Sequence, residues 1–362
     1  MNAERLTWAD TTLSFRDNRS RAMPYLVRSA CLTGYAELAR SLGLDPFLLL
    51  KEAGLDGDCL FHPDSKISVD GVRRLWEVSA RAARIDDFGL RLAGARPLSF
   101  LGPISLAMRD AATLREALES ARRYLPLHHE AAVLSLEEMG DVAMCKLEVL
   151  DGQGSPARQS VEMGVGATHH MIRQLLGGAW RPRPVWFSHS APANMTTHHS
   201  IFGPWVEFGR DCSGILLEAH DLDAPLPAAD PMMARHVKQQ YLEPMLAQVS
   251  VTLSKKVRQL VYELLPSGRC SVEQLASRLV MHPRTLHRYL AREGETCSSI
   301  VDAVRADLAR RYVEDEGRSL SEVSDLLGFS ALSSFSRWFR AKFGCSPMSW
   351  RAGRVATLGV AI

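Results

Sequence analysis

The sequence predicts two fold classes in one chain of 362 residues: an α+β N-terminal domain and an all-α C-terminal domain. The C-terminal prediction rests on residues 271–290 and 319–339, because each segment reads as a short helix, a tight turn and a second helix. The N-terminal prediction rests on a change of apolar period. Apolar residues recur at helical spacing up to about residue 125, and beyond it apolar and polar residues alternate, as in strands, in several short segments. A chain of this length has room for two or three domains.

Both C-terminal units begin with a capping box. Ser271 stands three residues before Gln274, and Ser319 three residues before Glu322. In such a pair the side chains satisfy the first free N–H groups of a helix. Matched caps at the start of two similar segments therefore predict two copies of one helical unit.

The turns of the two units differ in their residues. Gly328 stands where the second turn requires a left-handed conformation, and Val280 holds that place in the first. His282 then falls at the cap position, and Pro283 at the first helical position, where its missing N–H does no harm. We expect Val280 to cost about 1 kcal/mol if its backbone is left-handed.

A helix-turn-helix unit places its second helix in the major groove of DNA. In these second helices we expect Leu286, Leu290, Phe335 and Phe339 to face inward. Arginine can pair with guanine, serine and threonine can reach bases or phosphates, and leucine can touch a thymine methyl group. The predicted base-reading residues are Arg284, Thr285, His287, Arg288, Leu332, Ser333, Ser334, Ser336 and Arg337.

The spacing of the units supports a joint role. Residues 297–313 read as one amphipathic helix, which spans roughly 25 Å at 1.5 Å per residue. With its flanks it can hold two reading helices about one DNA turn apart, which is ~34 Å. One polypeptide would then read two successive major grooves.

Charge is distributed unevenly along the chain. The whole chain carries a net charge of +2, whereas residues 251–354 hold 17 Lys and Arg against 11 Asp and Glu, a net charge of +6. A basic C-terminal region joined to a mildly acidic remainder is expected of a DNA-binding module. The predicted phosphate contacts are Arg305, Arg310, Arg311, Arg340 and Lys342.

Four stretches carry a family resemblance: PRTLHRYL, IVDAVRADLARRYV, LSEVSDLLGFSALSSFSRWFRAKFG and CSPMSWR. The region resembles the DNA-binding domain of the AraC/XylS family of bacterial transcription regulators. The first turn departs from the family at Val280 and His282, where Gly and Ser are common. The resemblance implies a transcription regulator that activates nearby promoters.

The N-terminal half predicts helices followed by strands. Residues 1–22 are polar, lack the apolar core of a signal peptide and are expected to form a loose arm. The predicted helices are 27–41, 46–52, 66–83, 87–93, 104–108, 113–123 and 158–176. The predicted strands are 132–136, 142–149, 184–189, 205–208 and 214–217. The long helix 158–176 is expected to pack on this small sheet.

This half carries a second resemblance in GYAELARSLGLDP, DFGLRLA, LGPISLAMRDAATLREAL, IFGPWVEF and LDAPLP. These stretches look like the arabinose-binding-type sensor domain of many AraC-family regulators, which implies effector binding, dimerisation or both. The domains expected along the chain are the arm 1–22, an effector-binding or dimerisation domain 23–227, a linker helix 228–250, the DNA-binding domain 251–354 and a tail 355–362, with helix-turn-helix motifs at 271–290 and 319–340.

Candidate ligand-binding residues are histidines and aromatic residues of the N-terminal domain. Adjacent histidines lack the i, i+4 spacing of helical metal ligands, and the seven cysteines form no C-x-x-C pair, so neither a metal nor a cofactor is predicted. In each histidine pair, one packed and one exposed ring is the simpler interpretation. The candidate effector-pocket residues are His128, His129, His170, Trp186, Phe202 and Trp205.

We therefore expect a cytoplasmic transcription regulator and no enzyme. Its expected partners are double-stranded DNA, a small-molecule effector, a second copy of the chain and RNA polymerase, with no membrane contact. Two alternatives stay open: an N-terminal domain that only dimerises or binds a protein, and an enzyme fused to a DNA-binding domain. Known catalytic motifs are absent from the sequence, which argues against the second alternative.

Overall fold

The computed structural model describes residues 25–94, 96–149, 158–177, 180–181, 183–248, 252–266, 270–315 and 317–358, with side chains to residue 352. The predicted arm 1–22 and residues 359–362 of the predicted tail lie outside the described residues, whereas residues 355–358 belong to the last helix. The predicted fold classes are confirmed: an α+β region comes first and an all-α region follows.

A helical layer forms the first part of the N-terminal region. Its helices are α1 (Tyr35–Ser41), α2 (Pro46–Ala53), α3 (Val69–Ala83), α4 (Phe88–Gly94), α5 (Pro103–Arg109) and α6 (Leu114–His128). Single 3-10 turns lie at Ser29–Leu32, Gly57–Leu60 and Leu98–Leu101. The cap of α2 shows how local sequence sets these bounds: the Asp45 carboxylate accepts from the Phe47 N–H, and Gly54 ends the helix with φ of 75°.

Two predicted helices of this layer start too early. The segment 27–41 is split into strand β1 (Leu26–Arg28), a 3-10 turn and α1, and residues 66–68 form strand β2 (Lys66–Ser68) before α3. The two strands pair antiparallel, with Val27 opposite Ile67. Pairing between distant segments therefore overrides a local helical pattern, which the sequence read alone does not reveal.

A five-stranded sheet forms the second part of this region. Its strands are β3 (Ala132–Met139), β4 (Val142–Val149), β5 (Val185–Trp186), β6 (Val206–Glu207) and β7 (Gly214–Glu218). They lie in the order β3-β4-β7-β5-β6, antiparallel except for the parallel pair β5-β6. Helix α7 (Arg158–Leu176) packs against this sheet and against α4, and short helices α8 (Thr196–Phe202) and α9 (Ala219–Leu222) complete the region.

A helical connection leads out of the sheet region. Where a single linker helix 228–250 is predicted, the described residues form α10 (Pro231–Val237), a π-helical turn (Lys238–Leu242) and α11 (Glu243–Gln248) in succession. Leu242 is fully buried, and the Glu243 carboxylate accepts from the Tyr124 hydroxyl at 2.5 Å. The connection is therefore packed on α5 and α6 of the N-terminal region.

Seven helices form the C-terminal region among the residues described. They are α12 (Leu253–Leu264), α13 (Val272–Arg278), α14 (Pro283–Arg292), α15 (Cys297–Glu314), α16 (Leu320–Leu326), α17 (Leu332–Phe343) and α18 (Pro347–Leu358). Their buried apolar residues belong to the same contiguous cluster as those of α1 to α4, together with Val133 and Val149 of the sheet. The two regions therefore share part of one apolar core.

Candidate nucleic-acid interface and effector cavity

The first C-terminal unit, α13 and α14, has the predicted caps. The Ser271 hydroxyl accepts from the Gln274 N–H at 3.2 Å, and the Gln274 side chain accepts from the Ser271 N–H at 3.4 Å. Val280 has φ of 54° and is 93% exposed. His282 caps α14, with Nδ1 accepting from the Arg284 N–H at 3.2 Å. The turn is therefore the predicted left-handed one, built on a β-branched residue.

Replacing Val280 by Gly is expected to raise the free energy of unfolding by about 1 kcal/mol, because a left-handed β-branched residue is strained. DNA affinity should stay equal or rise slightly. Thermal unfolding and DNA titration measure both. Ser277→Gly is the matched control. Ser277 is exposed on α13, three residues before Val280, and its backbone is helical, so glycine there should lower the free energy of unfolding. A large loss of DNA binding in Val280→Gly would contradict this account of the turn.

The second helix of this unit, α14, presents one apolar and one polar face. Leu286 and Leu290 are fully buried, as predicted. Arg284, His287 and Arg288 are exposed, and Thr285 is half-buried. The sequence analysis missed Tyr289, whose ring lies between the guanidinium groups of Arg288 and Arg292 at 5.4 and 5.3 Å. The outward face is thus polar and basic, as a reading helix requires.

The second unit, α16 and α17, repeats this arrangement. The Ser319 and Glu322 side chains form the predicted capping box, and Gly328 has φ of 69°. Phe335 and Phe339 are fully buried. The remaining predicted reading residues lie on the outer side of α17, exposed at Leu332, Ser333 and Arg337 and half-buried at Ser334 and Ser336.

Helix α15 joins the two units and fixes their spacing. It has 18 residues and therefore spans about 27 Å. Its face at Ile300, Val304 and Leu308 is buried against the helices around it. A single rigid helix between the units is the geometry that the sequence analysis required for contacts one DNA turn apart.

The predicted phosphate contacts divide into two groups. Arg305 Nε donates to the Leu327 carbonyl at 2.9 Å, and Arg311 Nη2 donates to the Val149 carbonyl at 3.0 Å. Both guanidinium groups therefore already bind backbone carbonyls within the protein, which makes them weaker candidates for phosphate contact than arginines without such contacts. Arg310 stacks on Phe343 at 5.3 Å. Among the predicted arginines that the structure describes, the exposed Arg340 is therefore the simplest candidate for a phosphate contact.

Lys342 is paired within the protein and is also partly exposed. Its Nζ is 2.6 Å from Asp302 Oδ2, and the Trp338 indole N–H donates to Asp302 Oδ1 at 2.6 Å. The side chain is still 40% exposed. An ion pair this exposed contributes little to stability, so Lys342 stays available as a predicted phosphate contact.

An apolar cavity of about 100 Å³ lies inside the N-terminal region. Its walls come from α3, α6, α7 and strands β3 and β4. On α7 it is lined by residues that share one helix face: Met163, Gly164, Ala167, Thr168 and Met171. A concave space of this kind, lined mostly by apolar side chains with a few polar groups, is the usual form of a small-molecule site.

Two of the six predicted pocket residues line this cavity, His128 and His129. Burial lowers the pKa of His128 well below its usual value and that of His129 to about 4, so both rings are neutral at pH 7. Neither Nδ1 has a hydrogen-bond partner among the residues described. These rings therefore bring hydrogen-bonding capacity, and no charge, to the cavity.

The other four predicted residues lie elsewhere, which corrects the sequence analysis. Trp186 and Trp205 are at the β5-β6 edge of the sheet, away from β3 and β4, and Trp205 is 66% exposed. Phe202 packs on His169 at 5.1 Å. His170 is off the lining face of α7 and is bonded to Gln174. The strand order decides these positions, and the sequence did not supply it.

Most lining residues were not predicted, among them Trp76 on α3, and Arg96 and Phe100 after α4. Arg96 is only 2% exposed although it is charged. An arginine in the run GARPLSF gives no sequence signal of burial, because nothing local distinguishes it from a surface residue.

The cavity wall contacts the DNA-binding domain. Glu130, next to His129, is 2.9 Å from Lys255 Nζ on α12. Val149 lines the cavity with its side chain, and its carbonyl accepts from Arg311 on α15. Glu148, on the opposite face of β4, lines a second cleft together with Arg311 and Tyr312. Short chains of contact thus lead from the cavity to two helices of the C-terminal region.

Metal binding and membrane spanning find no support in the described segments. No group of three or more His, Cys, Asp and Glu side chains there can hold a metal ion. His128, His169 and His198 are buried, whereas His129 and His170 are half-buried and His199 is exposed, so only the last pair has one packed and one exposed ring. None of the described helices combines the length and the apolar character needed to cross a bilayer.

Known proteins resemble both parts of the chain. A family model for the arabinose-binding N-terminal domain of AraC transcription regulators matches residues 43–226, and a helix-turn-helix domain model matches residues 275–353. The HTH-type transcriptional regulator VirS of Mycobacterium tuberculosis is 35% identical over 329 residues, which cover 90% of this chain and 96% of VirS. The ornithine utilization regulator of Pseudomonas aeruginosa is 26% identical over 333 residues, covering 90% and 96%. The transcriptional activator NphR of a Rhodococcus species is 28% identical over 147 residues, covering 38% and 44%.

The chain has two helix-turn-helix units joined by one helix, and they follow a domain with an internal cavity. This arrangement is that of a DNA-binding transcription regulator. These relatives are regulators rather than enzymes, as the sequence analysis expected. The chain belongs to the AraC family of transcription regulators and has an arabinose-binding-type N-terminal domain.

Proposed function

We propose that a small molecule bound in the N-terminal cavity controls how this regulator engages DNA. The observation that carries the proposal is the direct contact between the cavity wall and the DNA-binding domain. Glu130 pairs with Lys255, and the Val149 carbonyl accepts from Arg311. A ligand that moves β3 or β4 will therefore bias the placement of α12 and α15, which carry the two reading units. Differential contacts of this kind are the physical basis of coupling between sites.

For DNA, we propose that α14 and α17 enter successive major grooves on one side of the duplex. Arg284, Thr285, His287 and Arg288 would read one groove. The residues proposed for the other are Leu332, Ser333, Ser334, Ser336 and Arg337. Arg340, Arg310 and Lys342 would contact phosphates and so position the helices without reading sequence.

The partners beyond DNA are part of the same proposal. We propose that two subunits bind paired half-sites in the cytoplasm, where the DNA lies, and that the bound dimer contacts RNA polymerase and activates nearby promoters. The family supports activation rather than repression, since one relative, NphR, is named a transcriptional activator.

A second candidate is favoured by exposed apolar side chains on the connection between the domains. Met232, Met233, Tyr241 and Met245 are between 39% and 81% exposed. An apolar stripe of this kind suits a protein partner or a second subunit. In this alternative the N-terminal domain only dimerises or binds a protein, and no small molecule is sensed.

Thermal unfolding of the full chain against a metabolite library separates the two candidates. A molecule at a hundredfold excess over its dissociation constant stabilises the fold by about 2.7 kcal/mol. The proposal predicts a stabilising metabolite that also changes DNA affinity. A well-folded chain with no stabilising metabolite across a broad library would favour dimerisation or protein binding alone.

Replacing Lys255 by Met is expected to weaken the coupling between metabolite and DNA. In the unsubstituted chain, a stabilising metabolite should change DNA affinity by about 5- to 150-fold. In Lys255→Met that ratio should fall toward one, because the contact with Glu130 is lost. DNA titrations with and without the metabolite measure it. Lys256→Met, exposed on the same helix, is the matched control. An unchanged ratio in Lys255→Met would contradict this route of coupling.

A further inference from the structure

The cavity contains a buried guanidinium group without a carboxylate partner. Arg96 donates through Nη2 to the Cys31 carbonyl and through Nη1 to Met163 Sδ at 3.2 Å. Its Nε has no hydrogen-bond partner, and among the described residues no acidic side chain forms an ion pair with it. Aromatic rings flank it, with centroids 6.0 Å away at Trp76 and 5.4 Å away at Phe100.

Such a group is costly in the empty protein. Burial lowers the pKa of Arg96 to about 10, so the side chain is still a cation at pH 7. A buried charge is normally paired, and sulfur and aromatic rings are weak substitutes for a carboxylate. The nearby Cys31 thiol does not supply the missing charge, because burial raises its pKa to about 12.

The rest of the cavity is mostly apolar, with the hydroxyl groups of Ser160 and Thr168 and the basic residues among its polar groups. A second buried arginine, Arg73, also lines it. His128 and His129 are neutral, and none of the described lining residues is acidic. The walls also carry aliphatic side chains such as Val72, Leu134 and Leu147.

We propose that the effector is a small molecule with an apolar body and one carboxylate, which pairs with Arg96. This inference rests on the proposed function and adds the chemical class of the ligand. The planar guanidinium fork suits two carboxylate oxygens, and pairing in an apolar cavity strengthens the contact. The apolar body fills the space between α3, α7 and β4, where it displaces water from aliphatic walls. A neutral or cationic molecule of the same shape leaves Arg96 without an anionic partner and is rejected.

Thermal shift and calorimetric titration of the full chain test the proposal with defined probes. The carboxylate probes form two series. Octanoate represents short- and medium-chain aliphatic carboxylates, and phenylacetate represents aryl carboxylates. The matched controls are methyl octanoate, octanol, octylamine and methyl phenylacetate. We expect members of the carboxylate series to raise Tm and to bind at least about tenfold more tightly than their neutral or cationic counterparts.

Three variants separate recognition from folding. Arg96→Met should lose carboxylate binding by roughly 10- to 100-fold, with the Tm of the ligand-free protein unchanged or raised, because a buried unpaired cation is removed. Arg96→Lys keeps the charge without the fork and should bind with intermediate affinity. Arg40→Met removes one exposed charge from α1 and should bind as the unsubstituted chain does.

The outcomes distinguish failure of this inference from failure of the proposed function. Equal binding of esters and carboxylates, or undiminished carboxylate binding by Arg96→Met, overturns the carboxylate inference. Effector control survives that outcome if Ala167→Leu, which fills the cavity, abolishes the binding. If no carboxylate in either series raises Tm, the inference is wrong. If neutral probes and library metabolites also fail, the proposed function falls with it.

Discussion

Replacing Phe339 by Ala is expected to destabilise the DNA-binding domain by about 3–5 kcal/mol, because a large buried ring is deleted from its core. The ring is fully buried. Its centroid lies 5.7 Å from that of Phe335, 4.4 Å from that of Phe343 and 5.9 Å from that of Trp350. Phe339 therefore joins α17 to α18, and its loss should free the second reading helix. Hydrogen exchange at α15 to α18 and DNA titration measure the effect.

Phe339→Leu is the matched control, since it keeps an apolar side chain of similar reach. It should cost less than about 1.5 kcal/mol and retain DNA binding. Hydrogen exchange in the N-terminal sheet should be nearly unchanged in both variants. If Phe339→Ala left the free energy of unfolding within 1 kcal/mol of the original value, the described core of the second unit would be wrong.

Replacing Arg288 or Arg337 by Ala is expected to cost about 1–3 kcal/mol of DNA-binding free energy and to relax specificity at one base position each. Both side chains are exposed on the outer faces of their helices, opposite Leu286 and Phe335. Because they lie on different units, their losses should add in the double variant. Titration of a preferred sequence and its single-base variants measures affinity and specificity together.

Arg340→Ala separates base reading from phosphate contact. It should weaken binding by a similar factor on all sequences and reduce the dependence of affinity on salt by about one ion. If Arg288→Ala and Arg337→Ala behaved in this uniform way too, they would be phosphate contacts, and the proposed reading faces would have to be redrawn.

The C-terminal region was predictable from sequence because its determinants are local. The capping boxes at Ser271 and Ser319 fix helix starts through contacts three residues apart. The burial of Leu286 and Phe335 follows from helical spacing alone. Even the strained Val280 could be placed, since the cap and proline after it left only one position for the turn.

Little of the N-terminal site was predictable, because its determinants are distant in sequence. Val27 pairs with Ile67, which turned a predicted helix into a strand. The order β3-β4-β7-β5-β6 moved Trp186 and Trp205 away from the cavity. Arg96 became a cavity residue through contacts with Cys31 and Met163, the second of which is 67 residues away. Periodicity and composition carry no information about such pairings.

Selection of binding sequences from a random DNA pool by the full chain tests whether one chain reads two successive major grooves. The experiment needs no known target promoter. We expect each half-site to hold two specified sequence blocks on one face of the duplex, with centres about 10 base pairs apart. Repeating the selection with Arg288→Ala and with Arg337→Ala should erase specificity in one block each. A single specified block, or erosion of the same block by both substitutions, would contradict a chain that reads two successive grooves.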